Sequence, residues 1–187
     1  MNCIIVHGSN DCKEEAKELP LENERHWMPW IKKELEKRRI KVSNELYPKD
    51  WLPDYKEWKN VFEKNKINEE TVLIGHSSGG GFLVRWLSET QKKVKKLILV
   101  APAIFHSGWG KSLEGLLKFD INPNIKNNVR EIILFVSLDD EKNILKSVEI
   151  FSKALDIKPI IFDNYGHFTE SEMRTKEFPE LLAKILS

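Results

Sequence analysis

Ser77 lies in the pentapeptide Gly75-His76-Ser77-Ser78-Gly79, between the apolar run Thr71-Val72-Leu73-Ile74 and a segment of helical character opening at Gly80. That context gives a G-x-S-x-G match its meaning. A strand that turns sharply into a helix needs small residues on both sides of the serine, so that the backbones approach while the hydroxyl projects outward. A serine hydroxyl is a weak nucleophile at neutral pH unless a histidine takes its proton. The histidine in turn needs a carboxylate to fix its tautomer and stabilise its charged form. Both partners follow downstream, in the order serine, aspartate, histidine. The run Ile132-Ile133-Leu134-Phe135-Val136 ends in Ser137-Leu138-Asp139-Asp140, and Pro159-Ile160-Ile161-Phe162 leads to Tyr165-Gly166-His167-Phe168. Each group therefore follows an apolar run, which places all three on one edge of a parallel sheet. Asp139 and Asp140 both stand open as the carboxylate, the other being free to cap the helix that begins near Asn143.

The amino terminus supplies a fourth part. Cys3-Ile4-Ile5-Val6 reads as a buried strand that stops at His7-Gly8-Ser9. In acyl transfer the tetrahedral oxyanion needs two backbone donors, one from the residue after the nucleophile and one from the loop after an early strand. Ser78 and Ser9 are the candidates for this oxyanion hole. Removing one such donor typically costs about 3 kcal/mol of transition-state stabilisation. His7, with the loop residues Trp51 and Trp109, is a candidate to line the substrate pocket. The five histidines, His7, His26, His76, His106 and His167, contain no i, i+4 pair, and Cys3 and Cys12 form no cluster, so neither a metal nor a cofactor is expected.

Those residues need a scaffold that brings strand ends together, and the chain reads as one. Apolar runs near 2–7, 42–46, 71–75, 96–101, 130–137 and 158–163 alternate with helical patterns, which predicts a parallel α/β sheet. Helical stripes predicted to face the core are Trp27, Trp30, Ile31 and Leu35; Ile144, Val148, Phe151 and Leu155; and Phe178, Leu181, Leu182, Ile185 and Leu186. The polar alternation of Val42-Ser43-Asn44-Glu45-Leu46 suggests an edge strand. The stretch 101–128 fits no simple strand-helix unit and is a candidate small cap.

At 187 residues the chain fits a single domain, 1–187. With 30 basic and 29 acidic residues the formal net charge is +1, and no global field favours nucleic acid, an anionic membrane or an acidic substrate. The densest charge run, Lys32 to Arg39, is mixed in sign and suits an exposed helix face. Most of the six tryptophans sit at helical core spacing, and they do not read as a stacking platform, since no net basic groove accompanies them. Two cysteines without a disulfide framework, and no secretory signal or apolar span, lead to the expectation of a cytoplasmic protein.

The elbow, the opening His7-Gly8-Ser9, the block His26-Trp27-Met28-Pro29-Trp30, the Ser137-Leu138-Asp139-Asp140 turn and Gly166-His167-Phe168 together resemble the small serine hydrolases related to retinoblastoma-binding protein 9 and bacterial YdeN. The resemblance spans essentially the whole chain, and the His-Trp-x-x-Trp block is more discriminating than the elbow. It implies a minimal α/β-hydrolase fold with about six mainly parallel strands in the order 2-1-3-4-5-6 and helices on both faces. It also implies a Ser-Asp-His triad with esterase-like activity; the leading expectation is a carboxylesterase-type serine hydrolase on a small-molecule ester or thioester, and the alternative is a non-catalytic binding or interaction module on the same fold. Carried across, the nucleophile falls on Ser77, the base on His167 and the carboxylate on Asp140. The chain departs from the family in following Asp140 with Glu141-Lys142-Asn143-Ile144 rather than a small apolar pair and a proline. Asn10-Asp11-Cys12-Lys13-Glu14 also lacks the leucine of the vertebrate member's Leu-x-Cys-x-Glu motif, so a retinoblastoma-type partner has no support.

Overall fold

The structure is a computed structural model that describes residues 1–10, 12–106 and 111–187. In chain order its elements are β1 (Asn2–Val6), α1 (Lys13–Glu18), α2 (Met28–Lys37), β2 (Lys41–Ser43), α3 (Tyr55–Phe62), β3 (Thr71–His76), α4 (Ser78–Thr90) and β4 (Val94–Val100). They continue with α5 (Glu114–Leu117), α6 (Ile125–Asn128), β5 (Val129–Ser137), α7 (Lys142–Leu155), β6 (Ile160–Phe162), α8 (Glu170–Met173) and α9 (Pro179–Leu186).

The strands form one all-parallel sheet in the order β2-β1-β3-β4-β5-β6. Strands covered on both faces have no polar side to show, which is why the central ones read as unbroken apolar runs. All six residues of β3 are buried, and Ile5, Ile74, Ile98 and Ile133 sit side by side across β1, β3, β4 and β5. β2 and β6 are the edges, short and without a fully buried residue. β2 covers 41–43 rather than the expected 42–46, because the chain leaves the sheet as soon as Ile4 has paired with Ser43.

Right-handed crossovers put α2 on one face and α3, α4 and α7 on the other. Rings of α3 accordingly pack on Phe82 of α4, Trp58 at 5.8 Å and Phe62 at 5.3 Å, whereas Phe178 at the start of α9 meets Trp27 at 6.1 Å. Ile144, Val148, Phe151 and Leu155 of α7 are buried as the spacing predicts, but Leu186 of α9 is 41% exposed and the stripe there ends at Ile185. α3 begins on Asp54, whose side chain accepts from Glu57 N–H at 3.0 Å. Among the described residues no helix is long and apolar enough to cross a membrane.

The strand order reverses beside β1, which leads outward to β2 while β3 lies on its other side. A crevice opens at the carboxyl ends of strands at such a switch point. Val6 pairs with Gly75 and His76 with Val100, so the residues that follow β1, β3 and β4 converge on that crevice.

Candidate active site

Ser77 occupies the sharp turn between β3 and α4 with φ 52° and ψ −123°. A non-glycine residue held there carries roughly 1–3 kcal/mol of strain and persists only where its surroundings over-determine it. They do. Ser77 N–H donates to the Val100 carbonyl at 3.0 Å, and the Ser77 carbonyl accepts from Gly80 at 3.0 Å and Ala103 at 2.9 Å. A Cβ on Gly75 would stand 2.6 Å from the Gly80 Cα, and one on Gly79 would press into the carbonyl oxygens of Val6 and His7. The small residues required by the sequence pattern are therefore what lets α4 pack against β1 and β3. Ser78 opens α4, so its N–H lacks an intrahelical acceptor, while its side chain is wholly buried. The β1 loop lies directly on the turn, since a Cβ on Gly8 would sit 3.2 Å from Ser77 Cβ. Ser9 follows and lines the cavity in front of Ser77.

His167 Nδ1 lies 3.1 Å from each carboxylate oxygen of Asp140, whose side chain is fully buried while that of His167 keeps 24% of its exposure. Burial opposes the charged imidazole. The hydrogen bonds and charge of Asp140, backed by Glu172 and Glu141, outweigh it and hold the His167 pKa above the ordinary value. Asp140 itself is fixed by the Glu141 N–H at 2.7 Å.

Asp139 points elsewhere and caps no helix. It accepts from the Ser137 hydroxyl and, at 3.1 Å, from Gly166 N–H, while Ser137 Oγ accepts from Tyr165 N–H at 3.0 Å. The paired aspartates thus divide between the ring of His167 and the backbone leading to it. α7 starts on Glu141 without a side-chain cap.

A cavity of about 360 Å³ brings together Ser9, His26, His76, Ser77, His167 and Glu172, with Leu113 and Ile144 as apolar walls. A larger one of about 770 Å³ lies at the opposite, amino edge of the sheet, by Asn2, Lys41 and Lys66, and touches none of these residues.

Two pocket candidates need correction, and a third lies outside the described residues. His7 is wholly buried and both ring nitrogens are engaged: Nδ1 donates to the Gly8 carbonyl at 2.6 Å and Nε2 accepts from Tyr47 N–H at 2.8 Å. Burial lowers its pKa to about 4, so it is a neutral brace behind the loop and faces no cavity. Trp51 is not among the residues that line the cavity in front of Ser77, and the Lys13 ammonium lies 5.9 Å from its ring centroid. Its neighbour Asp50 accepts from Asn10 Nδ2 at 2.6 Å, and Asn10 Oδ1 accepts from Arg25 at 2.9 Å, so that loop supports the β1 loop from behind. Trp109 lies outside the described residues. Of the 101–128 stretch, α5 packs on α4 with Leu116 and Leu117 fully buried, and Leu113 reaches the cavity.

Three further cavity residues were not among the site candidates from the sequence. His26 has φ 56° and accepts from Glu170 N–H at Nδ1, 3.1 Å away, and burial lowers its pKa to about 4. Glu172 accepts from His167 N–H at 2.8 Å. Arg25 is paired with Glu22. The nearest sequence signals are the His-Trp block that contains His26 and the Gly166-His167-Phe168 turn that precedes Glu172.

An all-parallel sheet in this order, carrying a strained serine between its third strand and the helix behind it, defines the α/β-hydrolase class. The serine hydrolase family matches residues 17–185, and the chain belongs to that family and is a hydrolase. It is 29% identical over 175 residues to the serine hydrolase RBBP9 of Rattus norvegicus, covering 86% of this chain and 85% of the relative. The ydeN gene product of B. subtilis superposes with a TM-score of 0.83 at 18% identity, over 99% of this chain and 96% of that one. A methylesterase, MES16 of Arabidopsis, gives a TM-score of 0.62 at 12% identity, covering 100% and 97%.

Proposed function

We propose that the protein is a carboxylesterase-type serine hydrolase that cleaves a small ester or thioester through an acyl-enzyme. The observation that carries this reading is the contact of His167 Nδ1 with both Asp140 oxygens at 3.1 Å, in the cavity that Ser77 also lines. Asp140 keeps the proton on Nδ1, so Nε2 is bare and takes the Ser77 proton as Oγ attacks the acyl carbon. The N–H groups of Ser9 and Ser78 receive the oxyanion. The carbonyl reforms, the alcohol or thiol leaves with the proton from Nε2, and Ser77 is acylated. Water then attacks the acyl carbon as His167 takes its proton, and the acid departs as that proton returns to Oγ. The cavity, at about 360 Å³ and with Leu113 and Ile144 as its apolar lining, suits a short acyl group. A fluorophosphonate should form one adduct, at Ser77, and Ser77→Ala should abolish both adduct and turnover. A label on Ser9 or Ser78 would overturn the assignment, and no label at all would make the chain a non-catalytic binding module on a hydrolase fold.

A further inference from the structure

His76 precedes the serine in the elbow, and the triad chemistry makes no use of it. It ends β3 and is only 3% exposed. Its Nε2 lies 2.8 Å from the carbonyl oxygen of His167. A carbonyl accepts only, so Nε2 carries the proton and Nδ1 is bare. That Nδ1 is buried and unpartnered among the described residues. An unsatisfied buried nitrogen disfavours histidine over an apolar residue here, unless its other nitrogen does something an apolar residue cannot. Burial and the neighbouring His167 and His26 rings hold its pKa well below the usual value, so the ring stays a neutral donor.

The loop it grips is one that would relax if released. Asn164, Gly166 and Phe168 have φ of 63°, 52° and 56°, so left-handed backbone recurs on both sides of the base. At the amino side of the same residue, His167 N–H donates to Glu172 at 2.8 Å, and Thr169 Oγ1 braces that carboxylate at 2.7 Å. His167 is thus held at its N–H, its carbonyl and its Nδ1 by three side chains from separate parts of the chain, those of Glu172, His76 and Asp140.

We infer that His76 is a positioning residue: by donating Nε2–H to the backbone carbonyl of His167, it ties the base to the strand end that carries the nucleophile and so sets the distance between them. This rests on Ser77 and His167 acting as nucleophile and base. The test compares two variants. His76→Gln keeps an amide donor within reach of the carbonyl. His76→Phe keeps a ring against His167 and Trp27, at 4.9 and 6.0 Å between centroids, and loses the donor. A misplaced base costs on the order of 100-fold, so His76→Phe should lose about that in kcat with little change in KM, while His76→Gln stays within about tenfold of wild type. Equal rates in the two variants, or the reverse ranking expected of a packing residue, would overturn the inference. Melting curves identify a variant that fails to fold. Nitrogen NMR of the wild-type protein reads the bond irrespective of turnover: His76 should be the Nε2–H tautomer and remain neutral through physiological pH. An Nδ1–H tautomer would overturn the inference even in a fully active enzyme. A wild type that neither hydrolyses esters nor takes a fluorophosphonate would instead defeat the triad.

Discussion

Replacing Asp140 by asparagine tests the site where its geometry is most specific. Oδ1 of Asp140 already accepts the Glu141 N–H at 2.7 Å, and both oxygens stand 3.1 Å from His167 Nδ1. An asparagine that keeps its oxygen on Glu141 turns its NH2 toward Nδ1. The histidine then carries its proton on Nε2, where it cannot accept one from Ser77. The wrong tautomer and the loss of imidazolium stabilisation together cost on the order of 10⁴-fold in kcat, or roughly 5 kcal/mol. The pH profile should move as well. Asp140 is what lifts the His167 pKa above the ordinary value against the opposing effect of burial, so the rising acid limb of wild type should have its midpoint above that value. In Asp140→Asn burial is left as the main influence, and the limb should shift to lower pH. Asp139→Asn retains an oxygen for Gly166 N–H and should lose about tenfold or less with the limb in place. Initial rates on a short p-nitrophenyl ester across pH, with melting curves for both variants, decide the matter. Asp139→Asn as the crippled variant, or an unmoved acid limb in a slow Asp140→Asn, would refute the reasoning.

Gly79→Ala should destabilise the fold by roughly 1–3 kcal/mol or prevent expression, because its methyl has only the backbone of Val6 and His7 to displace; a melting temperature equal to wild type would be the contrary result. Acid should unfold the protein readily. The pKa of His7 falls from 6.5 to about 4 on folding, so its neutral form favours the fold above pH 6.5, and roughly 3 kcal/mol is lost as pH falls from there toward 4. His26 adds a loss of the same sign, while His167, with its raised pKa, works the other way. Denaturant titrations against pH measure the slope, and His7→Gln should flatten it. Acetyl to hexanoyl esters should outperform long-chain ones, because a short apolar wall leaves distal methylenes in water at about 0.8 kcal/mol each. Leu113→Ala should alter that preference, and activity rising steadily to palmitoyl esters would contradict it.

The parts of the site legible in the sequence are those that follow strands. β1, β3, β4 and β5 are the central strands, so their apolar runs announce where each ends, and Ser77 and Asp140 come just after such ends, while His167 follows the short apolar run of the edge strand β6. His7 has the same signature and a different fate: its ring turns into the helix layer to accept from Tyr47 N–H, and period-two patterning does not say whether a residue past a strand faces cavity or core. The choice between Asp139 and Asp140 had no local signal either, since both follow Leu138 in one turn and only the distant His167 loop separates their contacts. The Arg25, Asn10 and Asp50 network was invisible because it joins residues up to 40 positions apart through types common on any surface.

What remains illegible is mostly side chain bonded to backbone, and this has a consequence for how the site responds to change. Ser77 is placed by sterics: glycines at 75 and 79 admit α4 to the sheet, and the backbone bonds to Val100 and Ala103 close the turn. His167 is placed by polar contacts to its main chain and ring, from His76, Glu172 and Asp140. Close packing is intolerant of added volume, whereas exchanging one hydrogen-bonding partner leaves volume nearly unchanged. Damage to the Ser77 half should therefore register first as lost stability. Damage to the His167 half should register first as lost rate in a protein that still folds, because the chain buries Phe168 against Phe178 at 5.5 Å and anchors that loop through its apolar side even when one polar grip is released.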